Sequence, residues 1–200
     1  MPMKGINANR QSSADRNPFL PFTVYCSLIG EGIFPFSLPM NLIAKLLSPA
    51  NILLDLEASS KKRVFEQAGL LFENQQGIAR SAVYDALFAR EKLGSTGLGQ
   101  GIAIPHGRIN GLKEAVGGFL RLATPVQFDA PDGKPVSLAF VLLVPEAATE
   151  RHLQILSELA QMFSDPGFRE QLMRGADPLA VHSLFMNWQS DAPSYRRAAV

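Results

Sequence analysis

The chain has 200 residues, 46% of them hydrophobic, and a formal net charge of +1 from 19 basic and 18 acidic side chains. That fits one globular domain with a modest appendage. There is no Lys/Arg-rich run and no interleaving of basic with aromatic residues, so the electrostatic footprint of a nucleic-acid or anionic-membrane binder is missing. The lone cysteine, Cys26, excludes an internal disulfide framework and a cysteine-based zinc cluster, and it fits a reducing cytoplasm. The longest apolar stretch, residues 19–47, is interrupted by Pro21, Glu31, Gly32, Pro35 and Pro39, too often for a membrane span or a clean signal sequence.

Residues 1–39 are polar and Asn/Ser-rich, then apolar and broken by prolines, with neither helical nor strand period. They are expected to be an appendage, either disordered or the product of a start-site artefact with Met40 as the native first residue; the rival expectation is a docking arm. Regular patterning follows, so the domain is placed at residues 40–189, with a polar tail at 190–200. Residues 41–47 read as a helical turn and 52–56 as a strand. Residues 59–76 form an amphipathic helix with Val64, Ala68, Leu71 and Phe72 on one stripe, stopped by Gly77.

Residues 81–93 repeat the helical pattern through Val83, Leu87 and Phe88. Arg90 falls in the last turn, where a cation complements the dipole, and Gly94 is the stop. Strands are predicted at residues 101–104, 116–122 and 136–144. The last is a near-continuous apolar run, the mark of a strand buried on both faces. A helix over residues 149–163 with Thr149 as N-cap comes next, then short helices near 167–174 and 178–188. With no internal repeat, this order predicts a mixed α/β sandwich.

The run Gly101-Ile102-Ala103-Ile104-Pro105-His106-Gly107-Arg108 carries the first chemical signal. A strand ending at proline delivers one histidine into a Pro/Gly turn, so His106 is expected at a strand end. An imidazole of ordinary pKa, ~6.5, is mostly neutral at pH 7 and can attack phosphorus without a dedicated base. A phosphoryl group there needs cations nearby, and Arg90 and Arg108 are the candidates. The plainer alternative, a histidine that merely caps a turn, stands level with this on the residues alone, and Arg90 and Glu91 read equally as a solvated helix end.

His152 falls in the first turn of the 149–163 helix, whose apolar stripe runs through Leu156, Leu159 and Phe163. The positive helix N-terminus keeps it neutral, able to donate one hydrogen bond to an oxyanion or to His106; the competing reading is a satisfied histidine under the sheet. His182 reads as structural. The glycines of residues 94–101 suggest a phosphate loop, but no Gly-Lys-Ser/Thr follows and the run leads from helix to strand, the reverse of the required order. They are expected to allow close turns beside His106, with Ser95 or Thr96 offering a hydroxyl. A zinc site built from His106 and His152 with Glu146 or Glu150 has no spacing signature behind it.

The stretch from Arg90-Glu91-Lys92-Leu93-Gly94-Ser95-Thr96-Gly97 through Pro105-His106-Gly107-Arg108 closely resembles the signature of phosphotransferase-system enzyme IIA domains of the mannitol/fructose family. Within that family it is most similar to the nitrogen-regulatory branch. Pro125-Val126-Gln127-Phe128-Asp129-Ala130, Leu142-Leu143-Val144-Pro145 and His152-Leu153 agree, and the resemblance covers about residues 40–188. It implies an α/β fold, a mixed sheet flanked by helices on both faces, with no cofactor and no metal. It implies that His106 accepts a phosphoryl group as a tele-phosphohistidine from a histidine phosphocarrier protein (HPr/NPr-like). His152 would then orient the ring and Arg90 would neutralise the phosphate, with Ser95, Thr96 and Arg108 in support. The mechanism wants a shallow site ringed by apolar residues such as Leu98, Ile102 and Phe128 for docking the carrier.

Sugar-transporting relatives of this kind pass phosphate to a cysteine or histidine of a IIB domain, often fused to a membrane domain. With the only cysteine in the extension and no membrane span, a cytoplasmic regulator of nitrogen, carbon or potassium status is expected, acting on potassium transport proteins or sensor kinases. A fructose- or mannitol-specific IIA component is the runner-up. From other classes, a binding module that uses the same face without phosphorylation, such as a kinase-modulating domain, comes next, and a metal-dependent hydrolase last.

Overall fold

The computed structural model describes residues 42–147 and 150–188. The extension, Cys26, Met40, the Thr149 cap and the tail from residue 189 lie outside the described residues. After a 3-10 turn at Ile43–Lys45, strand β1 spans Leu47–Leu56, helix α1 Lys61–Gln76 and helix α2 Arg80–Glu91. Three short strands follow: β2 at Gly97–Gly99, β3 at Ile102–Ala103 and β4 at His106–Ile109. The long strands β5, Val116–Val126, and β6, Val136–Pro145, precede helices α3 (Glu150–Ser164), α4 (Pro166–Arg174) and α5 (Pro178–Asn187).

The helices begin and end where side-chain chemistry dictates. Ser60 caps α1 by accepting the Arg63 N–H, and Gly77 ends it in the left-handed region at φ 69°. No side chain of its own caps α2; the α1 carboxylate of Glu73 accepts the Arg80 N–H at 3.2 Å instead. Asp165 and Asp177 cap α4 and α5, each followed by a proline in the first turn.

The six strands make one mixed sheet in the order β1-β5-β6-β3-β2, with β4 also on β6. β1 runs parallel to β5, β5 antiparallel to β6, and β3 and β4 parallel to β6. Period-two alternation along β6 splits its side chains between two cores. Leu138, Phe140, Leu142 and Val144 face α3, α4 and α5, where Ile155, Leu159, Phe163, Phe168, Leu172 and Phe185 are buried. Ala139, Val141 and Leu143 face α1 and α2 with Val64, Phe65, Phe72, Val83 and Leu87. β6 is therefore buried on both faces, as its apolar run predicts, and helices flank the sheet on both sides.

Three details differ from the sequence reading. β1 starts at Leu47, five residues early, because parallel pairing with β5 reaches back to Leu47 opposite Gly117. β2 was not expected, since Gly-Leu-Gly has no strand propensity of its own; it forms because β3 offers an antiparallel edge. β4 was expected to be a turn. Among the described residues, no helix is long and apolar enough to cross a membrane.

Candidate active site

His106 does sit at a strand end, but it opens β4 rather than entering a Pro/Gly turn. β3 and β4 are one line of chain along β6: Ile102 lies opposite Leu138 and His106 opposite Leu142, the same offset. Pro105 lacks the N–H to keep the ladder unbroken, yet its carbonyl still accepts the Leu142 N–H at 2.9 Å, so the chain resumes in register. His106 thus shares the α3 side of the sheet with Leu142. Gly107, one residue on, faces α2, and a Cβ there would come within 2.9 Å of the Ala86 Cβ. That close approach, which only glycine permits, draws α2 against β4 and brings Arg90, one turn after Ala86, beside His106.

Both imidazole nitrogens are engaged. Arg90 Nε lies 3.0 Å from His106 Nε2, and His106 Nδ1 lies 2.8 Å from the Ile104 carbonyl oxygen. Guanidinium only donates and a carbonyl only accepts, so the proton is on Nδ1 and the Nε2 lone pair points at Arg90. Burial, with the charge of Arg90 and the neighbouring His152 adding to it, lowers the His106 pKa to about 4, against the opposing pull of the Ile104 carbonyl and Glu91. The ring is neutral throughout the physiological range.

His152, in the first turn of α3, has its ring centroid 5.5 Å from that of His106, tilted by 58°. Its Nε2 is buried without a hydrogen-bond partner, so the expected bond to His106 is not made. Burial, then the charges of Arg108 and Arg90, hold the His152 pKa below the usual histidine value. Arg108 itself is exposed and reaches the Glu146 carbonyl at 3.4 Å. Arg90 also donates from Nη1 to the Gly94 carbonyl at 2.9 Å, tying the loop to the end of α2. His182 meets the Leu47 carbonyl at 3.0 Å, a link between α5 and β1 away from this cluster.

Ser95 and Thr96 are beside the site, but neither hydroxyl is free to be offered. Ser95 Oγ donates to the Phe128 carbonyl and accepts the Gly97 N–H, while the buried Thr96 Oγ1 donates to Glu91 Oε2 at 2.6 Å. They hold the loop. Of the apolar residues expected to ring the site, Leu98 is exposed, whereas Ile102 and Phe128 are core side chains; Leu93 and Leu153 are exposed in addition.

Glu91 is the residue the sequence reading missed. It is buried rather than solvated, and it bonds Lys61 Nζ at 2.7 Å and the Thr96 N–H at 3.0 Å as well as the Thr96 hydroxyl. One signal was available. A carboxylate in the last turn of a helix and a lysine in the first turn both oppose the dipole, so each needs a partner elsewhere. Among the described residues, no group of three or more His, Cys, Asp or Glu side chains could hold a metal ion.

A mixed sheet with helices on both faces thus carries, where β4 leaves Pro105, an imidazole placed between an arginine and a second histidine. Residues 45–188 match the family described as "Phosphoenolpyruvate-dependent sugar phosphotransferase system, EIIA 2", and the chain belongs to that family. It is 42% identical over 149 residues to a nitrogen regulatory protein of Pseudomonas aeruginosa, covering 74% of this chain and 97% of that one. The crystal structure of nitrogen regulatory protein IIA-Ntr from Neisseria meningitidis is 55% identical, with a TM-score of 0.69 over 72% of this chain and 99% of that one. IIA mannitol from Escherichia coli, at 23% identity, shares the fold with a TM-score of 0.59, covering 70% of this chain and 98% of that one.

Proposed function

We propose that this chain is a cytoplasmic regulatory phosphocarrier of a nitrogen-related phosphotransferase system, taking a phosphoryl group on His106 from a histidine phosphocarrier protein (HPr/NPr-like). One observation carries the reading: a neutral imidazole whose Nε2 lone pair faces the Arg90 guanidinium while Nδ1–H is held by the Ile104 carbonyl. The likeness to nitrogen regulatory proteins over nearly their whole length supports the regulatory branch.

The lone pair on Nε2 attacks phosphorus in line, the new N–P bond forms as the N–P bond to the carrier's imidazole breaks, and that electron pair leaves with the carrier. No proton moves at His106. The product ring carries positive charge at Nδ1–H, which the Ile104 carbonyl accepts, and Arg90 turns its Nε–H from Nε2 to a phosphoryl oxygen. His152, its ring centroid 5.5 Å from that of His106, is placed to give the phosphoryl group a further hydrogen bond. Positioning and charge stabilisation, rather than acid–base chemistry, supply the rate. Exposed Leu93, Leu98 and Leu153 offer the carrier an apolar rim, and Ser95, Thr96 and Arg108 support the loop and the local positive charge.

In this reading the phosphorylation state of His106 then reports nitrogen, carbon or potassium status to partners such as potassium transport proteins or sensor kinases. A second reading, a sugar-specific IIA component passing phosphate to a separate IIB, is favoured by 40% identity over 105 residues to a fructose-specific EIIA component of Haloferax volcanii. The domain is taken as residues 40–189, with residues 1–39 an added segment and 190–200 a tail. The test is intact mass after incubation with phosphoenolpyruvate, the general phosphotransferase enzyme and its histidine carrier, on the native chain and on His106→Ala. One acid-labile phosphate on the native chain alone is expected; no gain would leave a non-phosphorylated binding module as the better reading.

A further inference from the structure

Glu91 and Lys61 stand at the wrong ends of their helices. Lys61 opens α1, where its charge opposes the dipole, and Glu91 closes α2, where the same is true in reverse. A buried carboxylate so placed is costly unless it is fully partnered. Glu91 is: one oxygen accepts from Lys61 Nζ at 2.7 Å, the other from the N–H and hydroxyl of Thr96 at 3.0 and 2.6 Å. Lys61 continues to Asp129 Oδ2 at 2.8 Å and lies over the Phe128 ring at 5.4 Å.

The hydrogen bonds run on from Thr96 to the imidazole. Its carbonyl accepts the Ile104 N–H at 2.9 Å, and the Ile104 carbonyl in turn accepts from His106 Nδ1 at 2.8 Å. Arg90, adjacent in the chain, reaches the other ring nitrogen at 3.0 Å and the Gly94 carbonyl at 2.9 Å. Two consecutive residues of the last α2 turn therefore control both nitrogens of His106, one directly and one through the backbone.

We propose that Glu91, braced by Lys61 and bonded to Thr96, is a positioning residue that fixes the His106 ring through the peptide groups of Thr96 and Ile104. Its functional weight rests on the phosphocarrier reading above. The physical claim does not. Releasing Thr96 slackens the Ile104 peptide, and the Nδ1–H···O bond that aims Nε2 loses its fixed acceptor.

The experiment compares the native full chain with Glu91→Gln, Thr96→Val and Thr96→Ser. It uses NMR to follow exchange of the His106 Nδ1–H proton with water, and phosphoryl transfer from the carrier to follow kcat and KM. Circular dichroism confirms that each variant is folded. Thr96→Val and Glu91→Gln are expected to speed Nδ1–H exchange by about tenfold, the equivalent of one weakened hydrogen bond, and to lower kcat by a similar factor with carrier KM unchanged. Thr96→Ser, which restores the hydroxyl, is expected to recover both. If Glu91→Gln does not fold, Thr96→Val against Thr96→Ser decides alone. Native exchange rates in folded Thr96→Val overturn the proposal. Failure of the native chain to take up phosphate overturns the phosphocarrier reading instead, and is separable because the exchange measurement needs no phosphate.

Discussion

Acidification should destabilise this fold through His106, and the size of the effect follows from its surroundings. In the unfolded chain the imidazole titrates near ~6.5; in the native site burial, aided by Arg90 and His152, holds it to about 4. The unfolded state therefore binds the proton more readily, and stability is full above the unfolded value and lost as pH falls towards the folded one. Between pH 7 and pH 5 the loss attributable to this ring is roughly 2 kcal/mol, rising to roughly 3 kcal/mol by pH 4. His152, also held low, adds in the same direction. The assay is urea unfolding at pH 7 and pH 5 for the native chain and His106→Asn, whose amide can still donate to the Ile104 carbonyl but cannot titrate. The native chain should lose about 2 kcal/mol more than the variant over this interval. Equal losses would refute the reasoning, and would mean that the ring protonates in the native state without penalty.

Three further outcomes are expected. Gly107→Val drives a side chain into Ala86, where even a Cβ comes within 2.9 Å, so α2 must move; stability should fall by about 2 kcal/mol or more in urea unfolding, and Arg90 should lose its contact with His106, seen as an upward shift of the His106 titration by NMR. Arg90→Ala removes the cation nearest Nε2 and should slow phosphoryl transfer by at least about tenfold, while Arg90→Lys, lacking the guanidinium Nε–H, should restore charge but not full rate in the same carrier assay. Arg121→Met removes the buried guanidinium that pairs with Asp55 at 3.1 Å and bonds the carbonyls of Leu172, Met173 and Gly175 at the end of α4. Calorimetry should show a loss of about 1–3 kcal/mol with transfer unaffected, since the residue is on the far part of β5.

Local pattern and turn chemistry placed α1, α2, β5, β6 and the last three helices, and the Pro-His-Gly-Arg run marked His106 as the residue to watch. These are short-range signals: Gly77 ends α1 by its own dihedral freedom, and the apolar run of β6 announces burial whatever its neighbours, whereas α2 ends at Glu91, short of the expected stop at Gly94. The α/β class with helices on both faces was legible for the same reason. Pairing was not. β2 and β4 exist only because β3 and β6 present edges to them, and the single register that carries the chain through Pro105 is a property of the sheet.

The state of the site was decided at the same tertiary level. That Arg90 would meet Nε2, that the Ile104 carbonyl would take Nδ1–H, and that burial would lower the pKa of His106 all depend on how closely α2 approaches β4 over Gly107. Glu91 shows the boundary most clearly. In the sequence it is a charge at a helix end; in the fold, with Lys61 arriving from 30 residues earlier, it is a buried junction. Sequence alone determined which groups were available and where helices must stop, because those follow from the chain's own sterics. Only the packed structure decided which charges would be desolvated and paired, because desolvation and pairing depend on residues far apart in the chain.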